Sequence, residues 1–138
     1  MAGDGGRQRY EEAGGVPADP WSEAMLAWAP SAVAFLDREL RYLRVNERLA
    51  QLNGVPAAGH IGRTIFEVGP DVAGHAAPLF RQVIETGEAR LGLEFTGETA
   101  AQPGVARSWL EDVYPVCDHT GAVCGVAVWQ SGAAALRR

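Results

Sequence analysis

The sequence contains no lysine, only two cysteines and no long apolar run, and each shortage excludes a class of protein. All 12 basic residues are arginine, and 17 acidic residues outnumber them to give a net charge of -5. This acidic balance disfavours a nucleic acid or an anionic membrane as partner. No apolar stretch approaches the roughly 20 residues of a membrane span. We therefore expect no nucleic-acid partner and no membrane partner.

The cysteine count and the N-terminal residues indicate a cytoplasmic protein. Met1–Glu12 is polar and glycine-rich, without the apolar centre of a signal peptide. Two cysteines without an export signal favour free thiols. The use of arginine alone, with many alanines and glycines, is typical of a GC-rich bacterial genome such as that of an actinobacterium.

The remaining composition and its periodicity predict one α+β domain. The 138 residues suit a single domain of ordinary size. Residues 1–20 are rich in Gly and Pro and are predicted to form a flexible leader; residues 130–138 are predicted to form a frayed tail. The predicted order in between is a helix, two strands, short helices, a longer helix and three strands. Their ranges are Trp21–Trp28, Ala32–Asp37, Arg41–Asn46, Glu47–Leu52, Pro70–Glu85, Ala89–Thr96, Arg107–Cys117 and Ala122–Trp129.

The residues between Trp21 and Trp129 resemble the PAS domain, a sensory module of bacterial signalling proteins. The matching segments, in chain order, are Leu36-Asp37-Arg38, Arg41-Tyr42-Leu43, Val45-Asn46-Glu47, Asn53-Gly54, Gly62-Arg63-Thr64, Thr86-Gly87-Glu88, Pro115-Val116, Asp118, Gly121 and Gly125-Val126. The resemblance implies a five-stranded antiparallel sheet with short helices on one face and an N-terminal helix on the other. It also implies an internal pocket, which agrees with the apolar space that helices leave over a sheet.

The resemblance also assigns candidate ligand-binding residues. In PAS domains the pocket face of the penultimate strand shares the parity of its proline, and this parity places Trp109, Glu111 and Val113 inward. The same reasoning on the last strand places Gly125 and Ala127 inward. The rest of the predicted lining is Ala34, Leu36, Ile65, Val68, His75, Leu79 and Val83. For Ala89–Thr96, hydrophobicity favours Leu91, Leu93 and Phe95 inward, whereas the family pattern favours Gly92 and Glu94, and the sequence leaves both open.

The outer sheet face is predicted to be apolar and covered. Trp21, Met25 and Trp28 form one helical stripe, which we expect to pack on that face as ordinary core; use as a dimer interface is the alternative. The predicted interface set is Trp21, Met25, Trp28, Tyr114, Val126 and Val128.

No cofactor and no metal are predicted. Photochemical flavin binding is excluded because Ile65 follows Gly62-Arg63-Thr64 where light-sensing relatives carry a cysteine. Haem bound through His75 is the alternative; His60 and His119 are expected in solvent. Cys117, Cys124 and His119 lack a fourth zinc ligand, and the two cysteines are predicted to be buried or half-buried without a disulfide.

Glu111 is the most informative predicted pocket residue. A buried carboxylate needs a partner, either a structural one such as Arg63 or Arg81, or a hydrogen-bond donor on an apolar or aromatic ligand near Trp109. The sequence thus predicts a sensory or ligand-binding module, with a homodimer or another signalling protein as partner. The alternatives are a dimerisation module with a filled core and a small enzyme that uses Glu111 or His75 as acid or base.

Overall fold

The computed structural model describes residues 19–131, which form the helices and strands in the predicted order. The helices are α1 (Pro20–Trp28), α2 (Glu47–Asn53), α3 (Ile65–Val68) and α4 (Pro70–Thr86), with a short 3₁₀ turn at Ala57–Gly59. The strands are β1 (Ala32–Asp37), β2 (Tyr42–Val45), β3 (Arg90–Gly97), β4 (Arg107–Cys117) and β5 (Val123–Ser131). The predicted leader up to residue 18 and the predicted tail from residue 132 lie outside the described residues.

The five strands make one antiparallel sheet in the order β2-β1-β5-β4-β3. The N-terminal and C-terminal strands therefore meet at the centre, where β1 pairs with β5 from Ala32 opposite Gln130 to Asp37 opposite Gly125. Helices α2, α3 and α4 cover one face of this sheet, and α1 reaches the other. The predicted α+β PAS fold is confirmed.

Local sequence signals explain where the helices begin and end. The Asp19 side chain accepts hydrogen bonds from the first turn of α1, and Thr64 and Glu67 form a reciprocal capping box around α3. Helix α4 starts with Pro70 in its first turn and ends at Gly87, whose φ of 70° is a left-handed cap. The helix runs continuously past Pro78.

Asn46 joins three elements from a buried position before α2. Its Oδ1 accepts hydrogen bonds from the backbone N–H groups of Val33 and Leu49, at 3.0 and 3.1 Å. Its Nδ2 donates to the carbonyls of Leu26 and Ser31, at 3.1 and 2.9 Å. One amide side chain therefore caps α2 and fixes the path of the chain from α1 into β1.

The orientation predicted for β5 is wrong. Val126 and Val128 are buried in the core beneath the helices, together with Ala34 and Leu36, which pair with Val128 and Val126. Ala127 therefore points to the outer face, and Gly125 is packed against the backbone of β1 rather than open to a pocket. The physical reason is the pairing of β4 with β5, which places Val128 opposite Val113 and Val126 opposite Pro115. Paired residues share a face of the sheet, so these β5 residues lie on the inward face of β4, whereas the family pattern gave β5 the opposite parity.

An irregularity in the pairing of β3 with β4 decides which residues of β3 face inward. Phe95 is buried and Leu93 packs against the core, so the inward orientation that hydrophobicity predicts is correct for these two residues. Leu91 is 61% exposed, because the register shifts between Arg90 and Leu93. Gly92 adopts a φ of 67° within the shift, a conformation that glycine tolerates.

The aromatic stripe of α1 is not core, contrary to expectation. Trp21, Met25 and Trp28 are 80%, 75% and 84% exposed. The helix instead uses Leu26 and the following Ala29 to contact Val33 and Phe35 on the outer face of β1. An ion pair between Glu23 and Arg44 also holds α1 to the neighbouring strand. The stripe is left facing outward.

Replacement of Asn46 by alanine is expected to destabilise the fold strongly. The change leaves the Val33 N–H and two carbonyls without their partner in a buried place, and a cost of about 3 kcal/mol in the free energy of unfolding follows. Chemical denaturation measures it. Gln51→Ala, an exposed change on the same α2, is the control and should alter stability by less than about 0.5 kcal/mol. Equal stability of the two variants would contradict the role given to Asn46.

Candidate functional site

A cavity of about 60 Å³ lies between the sheet and the helices. This is several times the roughly 10–15 Å³ that a water molecule needs, and well below the roughly 300 Å³ at which pockets for drug-sized ligands begin. The lining comes from β1, β2, β4, β5, the helices and the β3–β4 loop: Ala34, Leu36, Tyr42, Leu49, Asn53, Ile65, Gly69, Val72, Ala73, Ala76, Phe80, Glu98, Thr99, Trp109, Glu111, Val128 and Gln130.

Glu111 is the charged group buried in this cavity, and it is only 3% exposed. Its Oε2 accepts hydrogen bonds from Trp109 Nε1 at 2.7 Å and from Gln130 Nε2 at 2.6 Å. Its Oε1 is buried and has no hydrogen-bond partner within residues 19–131. Neither Arg63 nor Arg81 forms the predicted salt bridge: Arg63 donates to the carbonyls of Gly59 and Glu67, and Arg81 lies over the ring of Phe66.

The position of Glu111 follows from its strand. In β4, Trp109, Glu111 and Val113 share the inward face, and residue 111 stands directly opposite Gln130 of β5. Burial raises the pKa of Glu111 to about 7, although the hydrogen bonds from Gln130 and Trp109 oppose the rise. This carboxyl group can therefore serve as an acceptor or a donor near neutral pH.

A second polar group lies after the end of α2, next to Tyr42 and Asn53 of the cavity lining. His60 is fully buried, with Nδ1 3.0 Å from the Pro56 carbonyl and Nε2 3.0 Å from Asn53 Nδ2. Burial lowers the pKa of His60, which favours the neutral ring that accepts from Asn53 and donates to Pro56. Burial and the charge of Glu111 raise the pKa of Tyr42, whose ring packs edge-on against His60. The expectation that His60 lies in solvent is therefore wrong.

The structure brings together five of the predicted ligand-binding residues: Ala34, Leu36, Ile65, Trp109 and Glu111 all line the cavity. Four more, Val68, Leu79, Val83 and Val113, contribute to the core around it without lining it. His75 is exposed on α4 and contacts the edge of Phe95. Gly125 and Ala127 are excluded by the orientation of β5, which brings Val128 into the lining instead.

Sequence reasoning missed the polar lining that comes from distant segments. Gln130 was assigned to the tail, although its alternation with Val126 and Val128 places all three on one face of β5. Thr99 lies in a loop without periodicity, so no sequence pattern could assign it. Tyr42 and Asn53 lie in segments that match the family, and Phe80 lies on the long helix, but their sequence positions do not indicate that they line the cavity.

Haem does not fit this cavity. His75 does not line it, and the space available is far smaller than a porphyrin needs. Ile65 lines the wall, so the thiol expected of a photochemical flavin site is replaced by an apolar side chain. Among residues 19–131 no group of three or more His, Cys, Asp or Glu side chains could hold a metal ion. Cys117 and Cys124 are free and exposed, so the prediction that they are buried or half-buried is wrong.

Comparison with known structures places the architecture in a recognised class. A VqmA structure bound to DPO superposes with a TM-score of 0.66 at 22% identity, covering 82% of this chain and 57% of that one. The Vibrio cholerae VqmA dimer without its target DNA superposes with a TM-score of 0.66 at 22% identity, and the match covers 83% of this chain and 51% of that one. A PAS domain from Colwellia psychrerythraea superposes with a TM-score of 0.66 at 14% identity, and the match covers 80% of this chain and 92% of that one. This chain therefore spans little more than half of the VqmA chains that it resembles.

These likenesses show the fold, an α+β domain. The family model described as the PAS fold matches residues 26–129, and the chain belongs to that family. No curated protein matches the sequence. None of the helices within residues 19–131 is long and apolar enough to cross a membrane.

Replacement of Glu111 by glutamine should make the protein less sensitive to pH. The pKa of Glu111 rises from 4.5 to about 7 on folding, so the folded state holds the extra proton between these values. The wild type therefore loses stability as pH rises from about 4.5 through 7, by about 3 kcal/mol in all. Glu111→Gln has no carboxyl group at this position and does not lose this stability. Its free energy of unfolding should therefore exceed that of the wild type at pH 8, and the difference should vanish near pH 4.5.

Urea denaturation across this pH range measures the difference. Glu94→Gln, the same chemical change at an exposed position of β3, is the control and should follow the wild-type profile. If the free energy of unfolding changed with pH in the same way for the wild type and Glu111→Gln, the result would show that burial does not perturb the pKa of this carboxyl group.

Proposed function

We propose that this chain is a cytoplasmic bacterial sensory module that binds a small molecule in the cavity beside Glu111. The observation that carries the proposal is the buried Oε1 of Glu111, which has no partner in the part of the chain that the structure describes. A buried carboxyl oxygen without a partner is costly, and a ligand N–H or O–H group directed at it would remove that cost.

The surroundings of Glu111 indicate what the rest of the ligand is like. Leu36, Leu49, Ile65 and Phe80 supply apolar walls, so the ligand body is apolar or aromatic. Trp109 and Gln130 already occupy Oε2, which leaves Oε1 as the oxygen that faces a ligand. The ligand therefore presents a hydrogen-bond donor, neutral or cationic, on a compact apolar body.

The comparisons support a sensory role without identifying the ligand. The VqmA structure that this chain resembles is bound to DPO, and a histidine-kinase PAS domain shares the fold with a TM-score of 0.59 at 18% identity. The alternative, a small enzyme that uses Glu111 or His75 as acid or base, is weakened for His75, which does not line the cavity.

Ligand binding is tested by native mass spectrometry of gently purified protein, followed by a thermal-shift screen of bacterial metabolites. We expect either a retained small molecule or a metabolite that raises the melting temperature by several degrees. The measurement is made at pH 8, above the pKa of about 7 that burial gives Glu111, so that the carboxyl group is ionised. Glu111→Gln should then weaken binding at least tenfold, since the loss of one hydrogen bond to a charged group is worth about 1.5–3 kcal/mol. Glu94→Gln is the matched control. Unliganded mass with no stabilising metabolite would contradict the proposal.

A second candidate function, dimerisation, is favoured by the exposed stripe of α1. Trp21, Met25 and Trp28 face outward, and Tyr114 and Trp129 are partly exposed on the outer sheet face. Exposed aromatic residues of this kind are enriched at protein interfaces. The fold neighbour VqmA is described as a dimer, and we propose a second copy of this chain as the partner. Val126 and Val128, predicted for this surface, are buried and take no part.

Sedimentation equilibrium tests the dimer. We expect the wild type to show concentration-dependent dimers, and a variant with glutamine at residues 21, 25 and 28 to remain monomeric with unchanged stability, because these side chains are exposed. Leu91→Gln, an exposed apolar change on β3, is the control and should still dimerise. A wild type that stays monomeric at high concentration would exclude the homodimer.

A further inference from the structure

Two side-chain oxygens are buried without a hydrogen-bond partner within residues 19–131: Glu111 Oε1 and Thr99 Oγ1. Both residues line the same cavity. They come from different parts of the fold, because Glu111 belongs to the sheet and Thr99 to the loop between β3 and β4. Buried hydroxyl groups in native proteins are nearly always paired, so two unpaired groups around one space point to a missing partner.

The loop that carries Thr99 is held over the cavity at both sides. On one side, Asp71 Oδ2 at the start of α4 accepts a hydrogen bond of 2.7 Å from the backbone N–H of Glu98. On the other side, the loop rests against Gly54 at the end of α2. A Cβ atom at residue 54 would stand 2.3 Å from the Ala101 nitrogen, a separation that only a glycine permits.

The loop also has internal hydrogen bonds that fix its shape. The Glu98 carboxylate accepts from the Gly104 N–H at 2.9 Å, and the Thr99 carbonyl accepts from the Gln102 N–H at 3.1 Å. The carbonyl of Thr99 is therefore paired while its hydroxyl has no partner within residues 19–131. A hydroxyl group can donate and accept, so it can pair with either kind of ligand group.

The charges around the cavity limit the ligand further. Within residues 19–131 the lining contains two carboxylates, Glu98 and Glu111, and no arginine or histidine. An anionic ligand would meet these carboxylates without a compensating cation. The ligand is therefore neutral or cationic.

We propose that Thr99 is a specificity-determining residue and that the ligand is a compact neutral or cationic molecule with two separate polar groups. One group is an N–H or O–H donor that meets Glu111 Oε1, and the other forms a hydrogen bond with Thr99 Oγ1. This inference rests on the proposed function, since it concerns the same cavity. It adds that recognition uses the loop as well as the sheet.

The probes for the test share one ring and differ in polar groups: toluene has none, aniline has one donor group, and the three aminophenol isomers have two. Binding is followed by NMR titration of the full chain, with the amide signals of cavity residues as the readout. We expect aniline to bind more tightly than toluene, and at least one aminophenol to bind about tenfold more tightly than aniline, the gain expected of one added hydrogen bond.

Two variants of one residue then isolate the hydroxyl group. Thr99→Val keeps the shape and removes the oxygen, so the ratio of the aminophenol affinity to the aniline affinity should fall to about one. Thr99→Ser keeps the oxygen and should keep the advantage. Thermal unfolding of both variants confirms that each is folded.

The outcomes separate this inference from the proposed function. Equal affinity for toluene, aniline and the aminophenols would overturn two-point recognition while leaving a ligand-binding cavity. A Thr99→Val variant that weakens aniline and aminophenol equally would show a structural role for Thr99 and would overturn the inference. The absence of any perturbation of cavity residues by all the probes would overturn the inference and the binding of single-ring ligands together.

Discussion

The pairing register of β4 with β5 is the constraint on which the candidate site depends. It places Glu111 opposite Gln130, and alternation along β4 adds Trp109 to the same face. These three side chains form one hydrogen-bonded group only in this register, since a shift of one residue would turn every side chain of a strand to the other face. The same register buries Val113 against Val128 and leaves Asp112 and Trp129 paired on the outer face. Site and core are thus fixed by one set of backbone hydrogen bonds.

The helices determine the shape of the space that this register creates. Gly69, Ala73 and Ala76 present little volume to the sheet, while Phe80 and Ile65 close the sides. A chain that needed only stability would fill this space and pair or remove Oε1 of Glu111, because a buried carboxyl oxygen without a hydrogen-bond partner weakens the fold. A buried polar group that lacks a partner, in a structure whose other elements agree with their local sequence signals, is typical of a functional site. The loss of stability that Glu111 causes is therefore an argument that the cavity binds a ligand.

The fold could be predicted from the sequence because its elements carry strong local signals, whereas the orientation of side chains depends on irregularities that no pattern shows. Alternation on β4 places Trp109 and Glu111 correctly, since that strand is regular through the region. The family pattern carried over to β5 fails, because pairing with β4 places Val126 and Val128 on the inward face instead of Gly125 and Ala127. The stripe of Trp21, Met25 and Trp28 has helical spacing, but spacing cannot tell whether a face is covered by the same chain. Leu26, which lies off the stripe, makes the contact instead.

Polar residues of the site were the hardest to predict, and the reason is their distance along the chain. Asn53 and His60 are paired by the turn that follows α2, and Thr99 reaches the cavity because Gly54 permits the loop to approach. Gly54 follows the last residue of α2, and its left-handed φ of 73° is typical of a glycine that ends a helix. The close approach of Ala101 gives it a second role, which concerns residues almost fifty positions away. A glycine that satisfies two requirements at once shows a local signal for only one of them. The loop over the cavity could therefore be assigned only from the structure.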